Sequence, residues 1–412
     1  MWTVFRHRSI QFAVTLLVAG CVIASSAASQ ERISRDMRAA ITVRAPDAFY
    51  DPPMERPGKP GELLRSEPLK DVTLPQALRG WRILYTTTID DQTPATAVAT
   101  VFAPMNMPAG LRPVIMWEHG TTGLLQKCMP SLMSAPAMGI PALDHAARAG
   151  WVIVATDYAF AEKGGPHPYM IGEGEARSGL DSVRAARQMQ ELNLDARTVV
   201  WGHSQGGHAA LWTGIVGPRY APDVEIAGIA AIAPPGNMIE LLRMNLPVDK
   251  RLGPYLAAAY SRFYPDIMFD DAILPDARAA AREMAGLCGV LPLDDPQRIA
   301  ALAGTFDGRA LAIRINAALD ARLAQNTAKD PIAAPLVIAQ GLSDVVVLPD
   351  ATKTYVDQRC MAGQRLDYWT FMGMDHGTIV EPGSPLEAPL IAWTIARFAD
   401  DTQLPGCERK AF

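Results

Sequence analysis

The chain has 412 residues, of which 49% are apolar and 20% are charged, with a formal net charge of −5. This balance is typical of a globular protein, and the length predicts one large core plus an insertion. The small acidic excess, with no block of Lys and Arg, argues against nucleic acid or an anionic membrane as the main partner.

Residues 1–29 have the pattern of a signal peptide. A basic stretch at residues 6–8 precedes an apolar run at residues 10–23, which is shorter than the ~20 residues of a membrane-spanning helix. Small residues up to Ala28 offer a cleavage site, so the mature protein is expected to be secreted or periplasmic. Alternatively, Val18-Ala-Gly-Cys21 resembles a bacterial lipobox, in which Cys21 would carry a lipid anchor.

The cysteines indicate disulfides rather than a metal site. Four cysteines follow the leader, namely Cys128, Cys288, Cys360 and Cys407. An even number in an oxidising compartment predicts two disulfides, with three possible pairings. No C-x-x-C or H-E-x-x-H spacing occurs in the sequence, so no metal is expected.

The N-terminal part of the mature chain changes character at residue 81. Residues 30–80 are rich in proline and charge, which predicts an extended arm over the domain. From residue 81 the strand signals begin with a hairpin at 81–88 and 97–102, separated by Asp90-Asp-Gln-Thr-Pro.

Strands and helices then alternate. The predicted elements are a strand at 113–117, a helix at 142–149, a strand at 151–155, a helix at 173–192, a strand at 198–201 and a strand at 226–233. The apolar runs are continuous, as in strands that are buried on both faces. The alternation predicts an α/β fold with a mostly parallel sheet flanked by helices.

The alternation breaks at residues 237–331, which we interpret as an inserted helical cap. Helical stretches are predicted there at 255–260, 276–287, 296–302 and 311–323. The sheet resumes with strands at 335–339 and 366–371, and a helix at 389–398 closes the chain. The predicted core is therefore 81–236 plus 332–412.

A Gly-x-Ser-x-Gly motif lies between the strand at 198–201 and the helix that follows. It reads Gly202-His-Ser204-Gln-Gly206 and has the form of a nucleophile elbow. A serine on a sharp strand-to-helix turn needs small neighbours two residues away, because larger side chains would clash. The helix N-terminus behind the serine offers unpaired N–H groups to a developing oxyanion.

A serine nucleophile needs a base, which in this fold follows it in the chain. Two histidines occur after Ser204, namely His208 and His376. His208 lies about one turn along the elbow helix and does not face the hydroxyl well. His376 lies in the loop after the last predicted core strand and is the predicted base.

The base in turn needs a carboxylate that orients it. Asp344 follows the strand at 335–339 in a turn at the carboxyl end of the sheet, and is the predicted acid. Asp350, after a further apolar run, is the alternative. Asp375 adjoins His376 in sequence, which makes mutual alignment difficult, so we expect a solvated loop charge.

The oxyanion hole is expected to combine the Gln205 N–H with one from an earlier loop. The loop Glu118-His-Gly-Thr-Thr-Gly123 suits this role because its glycines allow close approach of backbone to a ligand, and Thr121 or Thr122 is the expected donor. The histidines next to this loop and to Ser204, His119 and His203, are expected to be structural.

Several segments resemble those of the secretory lipase family, the yeast lipase A-like group. They are Asp47-Ala-Phe-Tyr-Asp-Pro-Pro, Cys128-Met-Pro-Ser, Gly172-Glu-Gly-Glu-Ala-Arg-Ser-Gly-Leu-Asp, the elbow, Tyr220-Ala-Pro-Asp-Val-Glu-Ile-Ala-Gly and Tyr355-Val-Asp-Gln-Arg-Cys360. The resemblance implies an α/β-hydrolase fold with a helical cap and activity on carboxylic esters. It also implies the triad Ser204, Asp344 and His376, and the disulfides Cys128–Cys288 and Cys360–Cys407.

The combined hypothesis is a serine esterase or lipase that acts through an acyl-enzyme on apolar small-molecule or lipid esters. The cap would bind the acyl or alcohol part, transient contact with a lipid interface is possible, and no cofactor is expected. Two alternatives stay open. One is a serine peptidase or amidase of the same fold, and the other is a non-catalytic binding protein, which would typically have lost a triad residue.

Overall fold

The computed structural model describes residues 41–53, 58–107, 109–160, 165–245, 252–288, 296–305 and 316–412. The predicted signal peptide, including the lipobox at Cys21, lies outside these ranges, as do residues 30–40 of the predicted arm and parts of the predicted cap. Among the helices in the described ranges, none is both long enough and apolar enough to cross a membrane.

Ten strands of the described residues form one sheet. They are β1 (Leu63–Pro68), β2 (Leu78–Thr88), β3 (Pro94–Pro104), β4 (Arg112–Glu118), β5 (Val152–Phe160), β6 (Leu194–His203), β7 (Glu225–Ile232), β8 (Leu336–Gly341), β9 (Leu366–Phe371) and β10 (Cys407–Ala411). Across the sheet the order is β1-β2-β3-β5-β4-β6-β7-β8-β9-β10. The pairs from β5 to β10 are parallel and the first three pairs are antiparallel. The predicted mostly parallel sheet is confirmed.

β2 and β3 form the predicted hairpin, in which Thr88 lies opposite Pro94. Asp90 shapes the turn, because its Oδ1 accepts hydrogen bonds from the N–H groups of Gln92 (2.8 Å) and Thr93 (2.7 Å). A short acidic side chain that binds the backbone two residues on stabilises a chain reversal, so the turn sequence explains the hairpin.

Helices cover both faces of the sheet. The described ones are α1 (Leu143–Arg148), α2 (Gly172–Ala186), α3 (Gln205–Tyr220), α4 (Met238–Asn245), α5 (Leu252–Phe263), α6 (Phe269–Ala272), α7 (Arg278–Ala285), α8 (Pro296–Gly304), α9 (Ala317–Gln325), α10 (Pro349–Met361) and α11 (Glu387–Phe398). Successive strand residues face opposite sides. Met116 of β4 packs in one apolar cluster with Leu180 of α2, and Trp117 packs in another with Leu390 of α11.

Helices α4 to α9 lie within the predicted cap, and the described part of residues 237–331 contains no strand. Their apolar side chains, such as Leu256 and Met284, form a cluster that also includes Tyr169 and Val347. The cap helices therefore pack on loops at the carboxyl end of the sheet. The helix predicted at 311–323 begins outside the described residues, and the cap boundaries stay a prediction.

Part of the predicted arm is a strand. β1 forms one edge of the sheet, antiparallel to β2, and its residues are half-buried or exposed. The sequence Leu-Leu-Arg-Ser-Glu-Pro lacks the apolar alternation that predicts a strand. Charged contacts hold β1 where apolar packing is weak, since Arg82 of β2 forms ion pairs with Glu67 of β1 and with Asp47, the latter at 2.7 Å.

Three further elements differ from the predictions. β10 and α10 carry mainly polar residues and give weak apolar patterns, so neither was expected. The predicted helix at 173–192 is wrong at its C-terminal end, since α2 ends at Ala186 and a short 3-10 turn follows at Gln190–Leu192. Asn193 then adopts a left-handed φ of 46°, which a helix does not continue through.

Both disulfides implied by the resemblance are present. Cys128–Cys288 joins the segment after β4 to the cap, and Cys360–Cys407 joins α10 to β10, with sequence separations of 160 and 47 residues. The first bridge packs on Gly123, where a Cβ atom would lie 2.6 Å from the Cys128 Sγ. It therefore holds the end of the loop that follows β4 against the cap.

Candidate active site

Ser204 lies in the turn between β6 and α3, with φ 57° and ψ −118°. The turn leaves room only for glycine on either side. A Cβ at Gly202 would lie 2.0 Å from the Gly206 carbonyl oxygen, and a Cβ at Gly206 would lie 1.8 Å from the Glu118 carbonyl oxygen. Because strained backbone of this kind persists only when surrounding structure fixes it, the two glycines and the strand-to-helix packing together hold the serine in place.

Ser204, His376 and Asp344 form a continuous hydrogen-bonded line. The Ser204 hydroxyl lies 2.8 Å from His376 Nε2, and His376 Nδ1 lies 2.7 Å from Asp344 Oδ2. A ring that donates from Nδ1 to a carboxylate presents an unprotonated Nε2 to the hydroxyl. The line can therefore take a proton from the serine.

Asp344 is buried in the turn after β8 and is held by backbone donors. Its Oδ1 accepts from the N–H groups of Val346 (2.7 Å) and Val347 (2.9 Å), and its Oδ2 accepts from Gln340 Nε2 at 3.1 Å. These bonds fix the orientation of the Asp344 carboxyl group toward His376.

The alternative acids lie elsewhere. Asp350 is an exposed residue in the first turn of α10. Asp375 is exposed, and its Oδ1 accepts from the N–H groups of Gly377 (2.9 Å) and Thr378 (2.8 Å), which stabilises the turn around His376. Asp344 is thus the carboxylate that the fold brings to His376.

His203 and His208 support the elbow from two sides. His203 Nε2 donates to the His376 carbonyl at 2.8 Å, so it holds the backbone of the histidine loop. His208 is fully buried, with its Nδ1 3.1 Å from Glu175 Oε2 and its Nε2 2.8 Å from the Asn326 carbonyl. Its ring is used within the core and does not meet the serine.

The loop at residues 119–123, called the oxyanion loop below after its predicted role, passes beside Ser204. A Cβ at Gly120 would lie 3.4 Å from Ser204 Cβ. Within the described ranges, the N–H groups of Thr121 and Thr122 have no hydrogen-bond acceptor. Gln205 is the first residue of α3, so its N–H has no acceptor inside the helix.

A buried polar network beneath the elbow was not predicted. Glu175 of α2 is fully buried, and its Oε1 accepts from Gln205 Nε2 at 2.8 Å and from the Met170 N–H at 3.0 Å. Burial also raises the pKa of Glu118 well above its usual range, although Thr213 donates to it at 3.0 Å. In the sequence, the segment Gly172-Glu-Gly-Glu carries only a family resemblance and gives no sign of this network, because the partners of Glu175 lie far away in the chain.

His119 and His167 flank the oxyanion loop and are both buried. Burial lowers the pKa of His119 to about 4, against a hydrogen bond from its Nδ1 to the Gly120 carbonyl (2.6 Å). Burial also lowers the pKa of His167 to about 3. His119 was expected to be structural, whereas His167 was not singled out by any motif.

Among the described residues, no group of three or more His, Cys, Asp or Glu side chains could hold a metal ion.

A family model and several relatives match this chain. Residues 137–249 match the family described as Secretory lipase. A Mycobacterium tuberculosis protein named "Probable inactive lipase" is 28% identical over 257 residues, covering 58% of this chain and 56% of that protein. Lipase A of Moesziomyces aphidis is 24% identical over 233 residues, covering 53% and 49%. A secreted triacylglycerol lipase of Malassezia globosa is 29% identical over 216 residues, covering 48% and 46%.

The chain spans about half the length of the curated relatives that it matches. Solved structures match over more of the chain. Candida antarctica lipase A in its closed state has a TM-score of 0.66 at 19% identity, covering 88% of this chain and 87% of that one. The rice cell wall degrading esterase LipA of Xanthomonas oryzae has a TM-score of 0.58 at 18% identity, covering 84% and 97%. The predicted α/β-hydrolase fold and the resemblance to secretory lipases are confirmed.

Proposed function

Because the chain resembles the secretory lipases in sequence and lipase A in fold, we propose that it is a secreted serine carboxylic-ester hydrolase acting on apolar esters. One observation carries the proposal. Ser204, His376 and Asp344 are joined by hydrogen bonds of 2.8 Å and 2.7 Å. Fold likeness alone does not imply an activity, so the proposal depends on this site.

The first half of the reaction forms an acyl-enzyme. His376 Nε2 takes the proton of Ser204 as its Oγ attacks the ester carbonyl carbon, and Asp344 stabilises the imidazolium that results. The proton then passes from His376 to the alkoxy oxygen, the C–O bond breaks, and the alcohol leaves. In the second half, His376 takes a proton from water as the water oxygen attacks the acyl carbonyl carbon. The bond between that carbon and Ser204 Oγ then breaks, His376 returns the proton to Oγ, and the carboxylic acid leaves.

Negative charge develops on the carbonyl oxygen in both halves. The Gln205 N–H and an N–H of Thr121 or Thr122 are the proposed donors, supported by the lack of acceptors for them in the described part of the chain. A donor of this kind contributes roughly 3–4 kcal/mol of transition-state stabilisation.

The proposed substrates are apolar esters, small-molecule or lipid. The cap cluster brings Leu256 and Met284 together with Val347, which lies three residues after the acid. Apolar side chains around a few directional polar groups suit an acyl or alcohol chain. Secretion through a bacterial-type signal peptide, with lipid anchoring at Cys21 as the alternative, belongs to the same proposal.

The test is hydrolysis of p-nitrophenyl esters from acetate to palmitate by the wild type and Ser204→Ala. We expect Ser204→Ala to lower kcat by roughly 10⁴- to 10⁶-fold. Ser66→Ala is the matched control, since Ser66 is exposed on β1, and its rate should equal that of the wild type. The acyl-length optimum would report whether the cap holds a long chain.

A non-catalytic role is the second candidate, because one relative is named as an inactive lipase. Reaction of Ser204 with a fluorophosphonate probe would exclude it. A wild type that labels but hydrolyses only an anilide would instead support a serine peptidase or amidase.

A further inference from the structure

The oxyanion loop is held on its buried side by hydrogen bonds from side chains. The Tyr158 hydroxyl donates to the His119 carbonyl at 2.9 Å, and His119 Nδ1 binds the Gly120 carbonyl at 2.6 Å. The hydroxyls of Thr121 and Tyr169 lie 2.9 Å apart. These contacts cover the N-terminal part of the loop.

His167 makes the corresponding contact at the C-terminal end of the loop. Burial lowers the pKa of its ring and the nearby His119 lowers it further, whereas a hydrogen bond to the Gly123 backbone raises it. A bond that raises an imidazole pKa is one that the ring donates to a carbonyl oxygen. His167 Nδ1 has no partner among the described residues, so Nε2–H is the donor to Gly123.

These bonds constrain the loop amides as well as the carbonyls. A trans peptide unit is planar, so a fixed carbonyl makes the N–H of the next residue point the opposite way. The Gly120 carbonyl bond therefore orients the Thr121 N–H, and the Gly123 bond fixes the other end of the short segment that contains Thr122. Both N–H groups lack acceptors within the described ranges, and Gly120 adjoins Ser204.

We propose that His167 is a positioning residue for the oxyanion, which it serves by donating its Nε2–H to the Gly123 carbonyl and so fixing the oxyanion loop. The inference rests on the proposed function and deepens it. His167 lies outside every motif of the sequence, and its backbone is itself fixed by an N–H bond to the Leu124 carbonyl at 3.0 Å.

A simple packing role makes a different demand on this residue. The His167 ring stacks on Tyr158, with centroids 5.5 Å apart and planes 8° apart. Packing requires only bulk at this position, whereas positioning requires an N–H donor at the place of Nε2. The two roles can therefore be separated by side chains that differ in donor position.

The experiment compares His167→Gln, His167→Asn and His167→Leu on a p-nitrophenyl ester. The glutamine amide reaches the place of imidazole Nε2, whereas the asparagine amide reaches only that of Nδ1. We expect Leu and Asn to lower kcat by roughly tenfold to a hundredfold with little change in KM, because misplaced donors act on the transition state. Glutamine should restore most of the rate.

The second readout is the affinity for a boronic acid that forms a tetrahedral adduct with Ser204. It should fall by the same factor as kcat in the Leu and Asn variants, and recover in the Gln variant. His145→Leu is the matched control, since His145 is exposed on α1, and both readouts should stay at wild-type values.

The outcomes separate the inference from the proposed function. A wild type that hydrolyses no ester contradicts both. An active wild type in which all three variants keep wild-type kcat and inhibitor affinity, or in which Gln is as impaired as Asn, overturns only the role of His167. If the Leu variant does not fold, as judged by its thermal transition, the comparison of Gln with Asn decides.

Discussion

The two sides of the candidate site are held in different ways. On the triad side, the loops after β8 and β9 are joined through backbone, as where the Ser343 N–H donates to the Met374 carbonyl at 2.9 Å. On the oxyanion side, the loop after β4 is held by the side chains of Tyr158 and His167, which lie at the end of β5 and beyond it. On the triad side the loops thus share main-chain bonds in addition to side-chain bonds, such as that of His203 to the His376 carbonyl, whereas the contacts described for the oxyanion loop come from side chains.

The difference has a consequence for substitutions. Backbone contacts persist when a neighbouring side chain changes, whereas a buried donor that is removed leaves its acceptor unpaired, at a cost of about 1–3 kcal/mol. On the triad side, where main-chain bonds also join the loops, we therefore expect the reacting residues to be more sensitive than supporting side chains such as His203. On the oxyanion side, residues that never touch substrate should also affect the rate.

The largest effect in this comparison is expected from Asp344→Asn. An amide cannot accept from His376 Nδ1–H with the strength of a carboxylate and favours the wrong tautomer, so kcat should fall by roughly 10⁴-fold. Steady-state kinetics on a p-nitrophenyl ester would measure it.

Asp350→Asn is the matched control for that experiment, because Asp350 is exposed in α10 and was the alternative acid. Its kcat should equal that of the wild type. The reverse pattern, with Asp350→Asn inactive and Asp344→Asn active, would assign the acid role to Asp350.

The Cys128–Cys288 disulfide is expected to have the next largest effect. Replacing Cys128 and Cys288 together with alanine should lower the free energy of unfolding by about 2–5 kcal/mol. It should also lower kcat, because the Cys128 Sγ packs on Gly123 at the end of the oxyanion loop. Urea denaturation and ester kinetics would measure the two effects.

The other disulfide provides the contrast. Removing Cys360 and Cys407 should also destabilise the protein, but the bridge joins α10 to β10 and leaves both active-site loops in place. The kcat of this double variant should remain close to the wild-type value under conditions where both double variants are folded. Equal losses of kcat in the two double variants would argue against a specific link from the first disulfide to the oxyanion loop.

The comparison also explains which features can be predicted from sequence. Ser204, Asp344 and His376 each follow a segment that the sequence predicts to be a strand. Because parallel strands bring their carboxyl ends to one edge of the sheet, the order of the strands along the chain predicts that these three residues lie close together. His167 carries no such signal. It follows β5 in a segment without regular structure, and its contact with Gly123 depends on how aromatic side chains pack.

The same reasoning applies to the fold. The strands between the two edges are rich in apolar and β-branched residues, and all of them were predicted. The edge strands β1 and β10 are partly exposed and contain charged residues, so apolar periodicity cannot detect them. They depend on tertiary contacts, namely the ion pairs of Arg82 for β1 and the Cys360–Cys407 bridge for β10.

The smallest effect concerns the pH dependence of stability on the oxyanion side. The pKa of His167 is about 3 in the folded protein, against 6.5 for an ordinary histidine, chiefly because of burial. As the pH falls below 6.5, the unfolded chain binds this proton first, so folding stability is lost until the pH reaches about 3. The loss per pH unit is at most about 1.4 kcal/mol.

The wild type alone does not isolate this contribution. Asp157 is buried, which raises its pKa to about 7, so its contribution to stability grows as the pH falls from 7 to about 4 and opposes that of the histidine. His119 is buried next to His167 and, like it, lowers the stability of the folded protein as the pH falls from 6.5 to about 4.

The difference in unfolding free energy between His167→Gln and wild type removes the contributions of Asp157 and His119, because both proteins share them. We expect that difference to shift in favour of the variant as the pH is lowered from 7 to 5 in urea denaturation. A difference that does not change with pH would mean that His167 titrates normally in the folded protein, and that its ring is not held neutral against Gly123.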